Sequence, residues 1–211
     1  MLPEVNVLIP FLIASIGLTL LPGPDNLFVL SLSVVNGAKT GIPTALGMAA
    51  GNFVHTTAVA LGLSALVLAS PVAFTVIKAF GVAYLLYLAW QSWHHPLHIS
   101  MQNAQSGYGT QSSIKLFRRG VLMNILNPKV ALFFLAFFPQ FIDQSSEYKA
   151  LQIFILGTLF VIQAAIIFSA IALAAGRLQP VILRLSPRVL AGVTSGLFVL
   201  LSLYLGLGGL S

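Results

Sequence analysis

The chain has 211 residues, of which 58% are hydrophobic and only 7% charged, against the roughly 25% of charged residues found in soluble domains. That balance leaves too little polar material to cover a globular surface. The formal charge of +6 does not point to nucleic acid, because the basic residues sit mainly in short stretches between apolar runs, where they orient a chain in a membrane. Cysteine is absent, which excludes disulfides, thiolate nucleophiles and cysteine metal sites.

Apolar stretches of the length needed to cross about 30 Å of hydrocarbon recur along the whole chain. The first runs from about Val5 to Asn36 and is interrupted by Leu-Pro-Gly-Pro-Asp-Asn at 21–26. It lacks a basic leader and a small-residue cleavage site, so it reads as retained helix. The second covers about Gly41 to Ser70, and the third follows Pro71 and ends at Trp93. A stretch rich in Gln, Ser, Gly and His, residues 94–113, reads as a flexible cytoplasmic loop. The fourth stretch spans about Gly120 to Phe141 and breaks at Asn127-Pro128; the fifth spans Ala150 to Gly176 and the sixth Val189 to Leu210. The expected architecture is all-α: a single membrane domain of about six transmembrane helices in two inverted three-helix halves, 1–93 and 114–211, with broken first and fourth helices.

Lys39, Lys115, Arg118, Arg119, Arg177, Arg184 and Arg188 fall on one side, whereas the other side has only Lys149 with Asp143 and Glu147. By the positive-inside rule both termini face the periplasm. Trp90 and Trp93 then stand where an aromatic belt belongs on the cytoplasmic side. Three spans per half give the halves opposite orientation, and in such inverted repeats matching helix breaks mark the transport site. Pro24-Asp25 and Pro128-Lys129 are 104 residues apart, and each break lies 14 residues from a basic flank at Lys39 or Lys115. Fourteen residues of helix measure about 21 Å, so the two breaks should meet near the midplane.

Pro22, Pro24 and Pro128 remove backbone hydrogen bonds, and such gaps are tolerated at membrane depth only beside protein or a water-filled cavity. After the first break, Asp25 or Asn26 is the expected N-cap. After the second, Asn127 takes that place with Pro128 at the first helical position. Two positive helix ends would then favour a substrate carboxylate, held by backbone N–H groups that include the Gly23 region. Asp25 can take the substrate ammonium or a coupling proton, and Lys129 can bind the carboxylate or pair with Asp25. Against this stands a purely architectural reading, in which both residues only cap and pair so that broken helices can insert. Ionisable residues inside a membrane are functional by default.

Lys78 lies inside the third stretch, near enough to the outer face to snorkel, so anchoring and site roles weigh equally. His55 reads first as a packing residue and second as a relay. Asn52 beside it is a candidate for substrate contact or helix adhesion. Gly47-x-x-x-Gly51 and Gly192-x-x-x-Gly196 mark close helix contacts, compatible with a compact monomer or a homodimer. His94, His95 and His98 form His-His-x-x-His, with neither cysteine nor carboxylate nearby, a weak pattern for a metal. No Gly-x-Ser-x-Gly elbow or phosphate loop occurs, so neither hydrolase chemistry nor ATP coupling has a residue basis and no cofactor is expected.

Leu-Pro-Gly-Pro-Asp-Asn-Leu-Phe-Val-Leu-Ser, Asn-Gly-Ala-Lys-Thr-Gly, Ala-Leu-Gly-Met-Ala-Ala-Gly-Asn-Phe-Val-His and Phe-Arg-Arg-Gly-Val-Leu-Met-Asn-Ile-Leu-Asn-Pro-Lys together resemble the LysE/RhtB family of bacterial amino-acid exporters. Lys78 and Gly81-Val-Ala-Tyr-Leu also have familial spacing. The resemblance covers nearly the whole chain. It implies inner-membrane efflux of small, neutral amino acids or derivatives, such as threonine, homoserine, homoserine lactone or leucine-like solutes, by proton exchange. Many relatives carry Gly-Asp where this chain has Gly51-Asn52, and Asn52 cannot titrate. Two other functions compete: a transition-metal exporter of the same superfamily and a membrane interaction subunit that transports nothing.

Overall fold

The computed structural model describes residues 3–21, 23–69, 71–95, 106–143, 146–184 and 186–207. The first apolar stretch forms α1 (Val5–Leu20) and α2 (Pro24–Asn36), bent by 55° at the break. Leu21 precedes a proline, which disfavours helical backbone; it takes φ −55° and ψ 123° and ends α1. Pro24 opens α2 from the first helical position, where a missing N–H costs nothing. Gly37 closes α2 at φ +82°, the one positive φ among the described residues, and its N–H donates to Ser33 O at 2.9 Å.

Next come α3 (Ala38–Ala69), α4 (Pro71–His94) and α5 (Ser113–Ile125). After the second break α6 (Pro128–Leu132) runs into a π-helical turn at Phe133–Phe137 and a 3₁₀ turn at Phe138–Phe141, and this arm is bent by 52° from α5. The long α7 (Lys149–Arg184) and α8 (Pro187–Leu207) complete the bundle. Among the described residues, α8 and the Lys149–Arg177 part of α7 are long and apolar enough to cross a membrane, and each bent pair qualifies as one broken span. With α3 and α4, 32 and 24 residues long, the chain is all-α, and the two bent pairs are the broken first and fourth helices that the sequence leads one to expect.

The centre of the bundle is α3, packed on α5 and α7, while α4 pairs with α8. Its close approach to α5 rests on glycine. A Cβ on Gly47 would collide with Phe117 O, one on Gly120 with Thr44 O, and one on Gly51 would lie 2.6 Å from Asn124 Oδ1. Gly47-x-x-x-Gly51 is therefore the expected close contact. Among the described residues Gly192-x-x-x-Gly196 is not one: Trp93 lies 3.7 Å from where a Gly192 Cβ would sit, and no described residue lies within 4 Å of the Gly196 position.

On the far side of the breaks, phenylalanines fill the space under α1. Phe11 meets Phe138 and Phe141 edge-on at 5.4 and 5.3 Å, and Phe134 stacks on Phe138 at 4.9 Å and meets Phe160 at 5.0 Å. This cluster fixes the irregular π and 3₁₀ turns, where backbone geometry alone would not. Phe134→Ala should cost about 3 kcal/mol, mainly through the cavity it leaves, and a lowered thermal midpoint of the purified protein in detergent would report it. Outside the core, Ile13, Leu61, Phe80 and Leu126 are each about 70% exposed, as lipid-facing side chains must be.

Two boundaries differ from expectation. The fourth span begins at Ser113, not Gly120, because its first two turns are amphipathic and basic and so escape a search for apolar runs. The polar stretch 94–113 is not loop throughout: a 3₁₀ turn covers Ser106–Thr110, and Tyr108 is buried against Leu32 and Leu116.

Candidate functional site

The two breaks meet. Asn127 caps α6 by accepting the Lys129 backbone N–H on Oδ1 at 3.0 Å, and its Nδ2 donates to Asp25 Oδ2 at 2.7 Å. One amide therefore ties the second break to the first, and it is buried, as is Asp25 at 2% exposure. Asp25 sits in the first turn of α2, where the positive end of the helix favours its carboxylate. Pro128 occupies the first position of α6, as expected.

The N-cap of α2 is Gly23, in extended conformation, and not Asp25 or Asn26. Pro24 claims the first helical position, which places Asp25 and Asn26 inside the helix. Asn26 turns backwards instead: its Nδ2 donates to Thr19 O at 2.9 Å, Leu21 O at 3.1 Å and Leu20 O at 3.3 Å. These carbonyls are left over where α1 stops, and Asn26 is thus the C-terminal cap of the preceding helix. Asn26→Asp, nearly isosteric, replaces that donor by an acceptor facing three carbonyls. A sharp fall in folded protein, read by fluorescence-detected size exclusion, is the expected result.

Lys129 completes the cap. Its Nζ donates to Leu18 O and Leu21 O, both at 3.3 Å, and approaches Gly23 so closely that a Cβ there would lie 3.1 Å from Nζ and push the ammonium aside. A cation at a helix C-terminus complements the dipole, and the same charge acts on the Asp25 carboxylate. The expected pairing of Lys129 with Asp25 is therefore electrostatic, while the hydrogen bonds of Lys129 go to the end of α1.

A cavity of about 10 Å³ lies between these groups, room for about one water molecule. Thr19, Asp25, Asn52, Asn124 and Lys129 form its polar wall; Leu18, Val130, Phe160 and Phe168 form the apolar one. Asn52 gives its Nδ2 protons to Met48 O and Ala49 O of its own helix and accepts Asn124 Nδ2 on Oδ1 at 3.4 Å. His55 Nε2 approaches Asn124 O at 3.2 Å, and since a carbonyl only accepts, that nitrogen carries the proton. The ring stacks on Phe134 at 5.5 Å. His55 thus braces the wall from behind, while Lys78, partly exposed on α4, does not line the cavity. Pro22 lies outside the described residues, as does His98. His94 donates from Nδ1 to Trp90 O at 2.9 Å, and among the described residues no three potential ligands form a metal site.

Three further residues, Thr19, Asn124 and Gln163, belong to the site. Asn124 is 1% exposed and its Oδ1 has no partner among the described residues; Gln163 donates from Nε2 to Thr19 Oγ1 at 3.0 Å, and its Oε1 is likewise unpartnered there. Each is a neutral polar residue inside an apolar stretch, the same feature that drew attention to Asn52.

Residues 16–209 match the family model described as LysE type translocator. The chain belongs to the LysE type translocator family. This family consists of multi-pass transporters, not enzymes. Among relatives, an uncharacterized membrane protein of Pseudomonas aeruginosa is 34% identical over 90% of this chain and 87% of its own. One from Vibrio cholerae serotype O1 is 33% identical over 82% of each chain. The leucine efflux protein of Salmonella typhimurium is 32% identical over 70% of this chain and 69% of its own. No solved structure gives a significant match.

Proposed function

We propose that this LysE type translocator exports small neutral amino acids of the leucine-like kind across the bacterial inner membrane in exchange for protons. The observation that carries the reading is the Asn127–Asp25 hydrogen bond, which joins two helix breaks of opposite halves in a buried polar pocket beside Lys129. Likeness to a leucine efflux protein supports the substrate class, and so do Phe160, Phe168, Leu18 and Val130, an apolar wall suited to an aliphatic side chain. In this reading the substrate ammonium goes to Asp25 and Asn124 Oδ1, and its carboxylate to the N-terminal amides of α2 and α6. Asp25 also carries the exchanged proton, since Asn52 cannot.

A cavity that holds one water is far smaller than an amino acid, so the conformation described is closed around the site. Access requires α1, α2 and α3 to part from α5, α6 and α7, which fits rocking of two inverted halves, 1–93 and 114–211, about a fixed midplane. Both termini then face the periplasm, as the basic residues indicate. The test is release of leucine from cells loaded with a leucine dipeptide, with and without a pH gradient. Asp25→Asn, which keeps an acceptor for Asn127, should lower release at least tenfold at unchanged protein level. Normal, gradient-dependent release by that variant would remove Asp25 from the mechanism.

A further inference from the structure

We propose that the face of α5 turned away from α3 is a binding site for an anionic phospholipid. The inference rests on the membrane fold and not on the solute exported. Phe117, Gly120 and Asn124 meet α3, and the opposite face carries Lys115, Arg118, Arg119, Leu122 and Leu126, spaced as one helical stripe. This stripe lines a cleft of about 380 Å³, basic at the start of the helix and apolar toward the break.

Cations at this position are held against an unfavourable field, because the N-terminal turns of α5 present the positive end of its dipole. Among the described residues no acidic side chain lines this cleft. The chain has four acidic residues: Asp25 is buried at the break, and Glu4, Asp143 and Glu147 belong to the other side of the breaks, where Phe11 meets Phe141. Arg119 is moreover positioned by the protein, its guanidinium 4.7 Å from the Tyr108 ring and 5.4 Å from that of Phe28. Neutralisation must come from outside, and a phosphodiester has the charge and the acceptor oxygens for it.

The apolar end decides between lipid and free phosphate. Leu122 and Leu126 are 56% and 70% exposed, and the stripe from Lys115 to Leu126 measures about 16 Å along the helix, close to the depth of one leaflet. A headgroup at the basic end thus leaves an acyl chain lying on leucine. A second copy of the chain is a poor occupant, since a two-fold contact would set this cationic stripe against itself.

The test is thermal unfolding of the delipidated protein in neutral detergent, with added phosphatidylglycerol, phosphatidylcholine or inorganic phosphate, beside native mass spectrometry of retained lipid. Phosphatidylglycerol should raise the midpoint and be retained at least fivefold more than phosphatidylcholine. Lys115→Gln with Arg118→Gln should abolish that preference; Arg119 is kept because it packs on aromatic rings. Equal retention of both lipids by the unaltered protein overturns the proposal even if the variant fails to fold. So does an undiminished preference in a folded variant, an equal effect of inorganic phosphate alone, or a dimer that forms without lipid and buries the stripe.

Discussion

Lys129→Ala is expected to abolish export, by at least tenfold at matched protein level, and to lower stability at the same time. Its ammonium bonds two carbonyls at the end of α1, and hydrogen bonds to a charged group contribute about 1.5–3 kcal/mol each. Without it Leu18 O loses its lysine donor, Leu21 O keeps only the Asn26 amide, and Asp25 loses the cation that balances it. Lys129→Arg should not rescue, because the space left beside Lys129 is only about 10 Å³ and a guanidinium is broader than an ammonium. Release of leucine from dipeptide-loaded cells and the thermal midpoint are the two readouts. Export within twofold of the unaltered protein would show Lys129 to be packing material alone.

Gly120→Val should be strongly damaging. Any Cβ at 120 runs into the backbone at Thr44 and Met48, and a backbone wall inside a helix cannot step aside as a side chain can. Overpacking costs about 1–3 kcal/mol where side chains can give way, so here more than about 3 kcal/mol is expected, with little folded protein recovered. Gly196→Val is the control: no described residue lies within 4 Å of that position, and the variant should keep its thermal midpoint within the error of the measurement. Equal behaviour of the two would mean that α3 and α5 do not pack as described.

What was legible in the sequence was whatever membrane physics makes conspicuous. Ionisable residues are rare inside spans, and a proline joined to one makes Pro24-Asp25 and Pro128-Lys129 stand out; their equal distance from basic flanks leads to the expectation that they meet, as the Asn127–Asp25 bond shows. Direction was less legible. Asn26 looks like an N-cap by residue type, yet its role depends on where α1 ends in space, and it caps backwards. Thr19, Asn124 and Gln163 are not legible because a neutral polar residue gives no indication of which face of a span it occupies until neighbouring helices are placed. Tyr108 reads as part of a flexible loop for a related reason: composition describes a stretch, whereas burial is decided by the single side chain that finds Leu32, Leu116 and the ring of Phe28.

A broken helix inside a bilayer leaves carbonyl groups that transporters commonly satisfy with an alkali cation drawn from solution. Here the cation is Lys129, and it is part of the polypeptide. Its stoichiometry is fixed at one, its arrival needs no diffusion, and its presence at the end of α1 is set by translation of the chain and not by the salt composition on either side of the membrane.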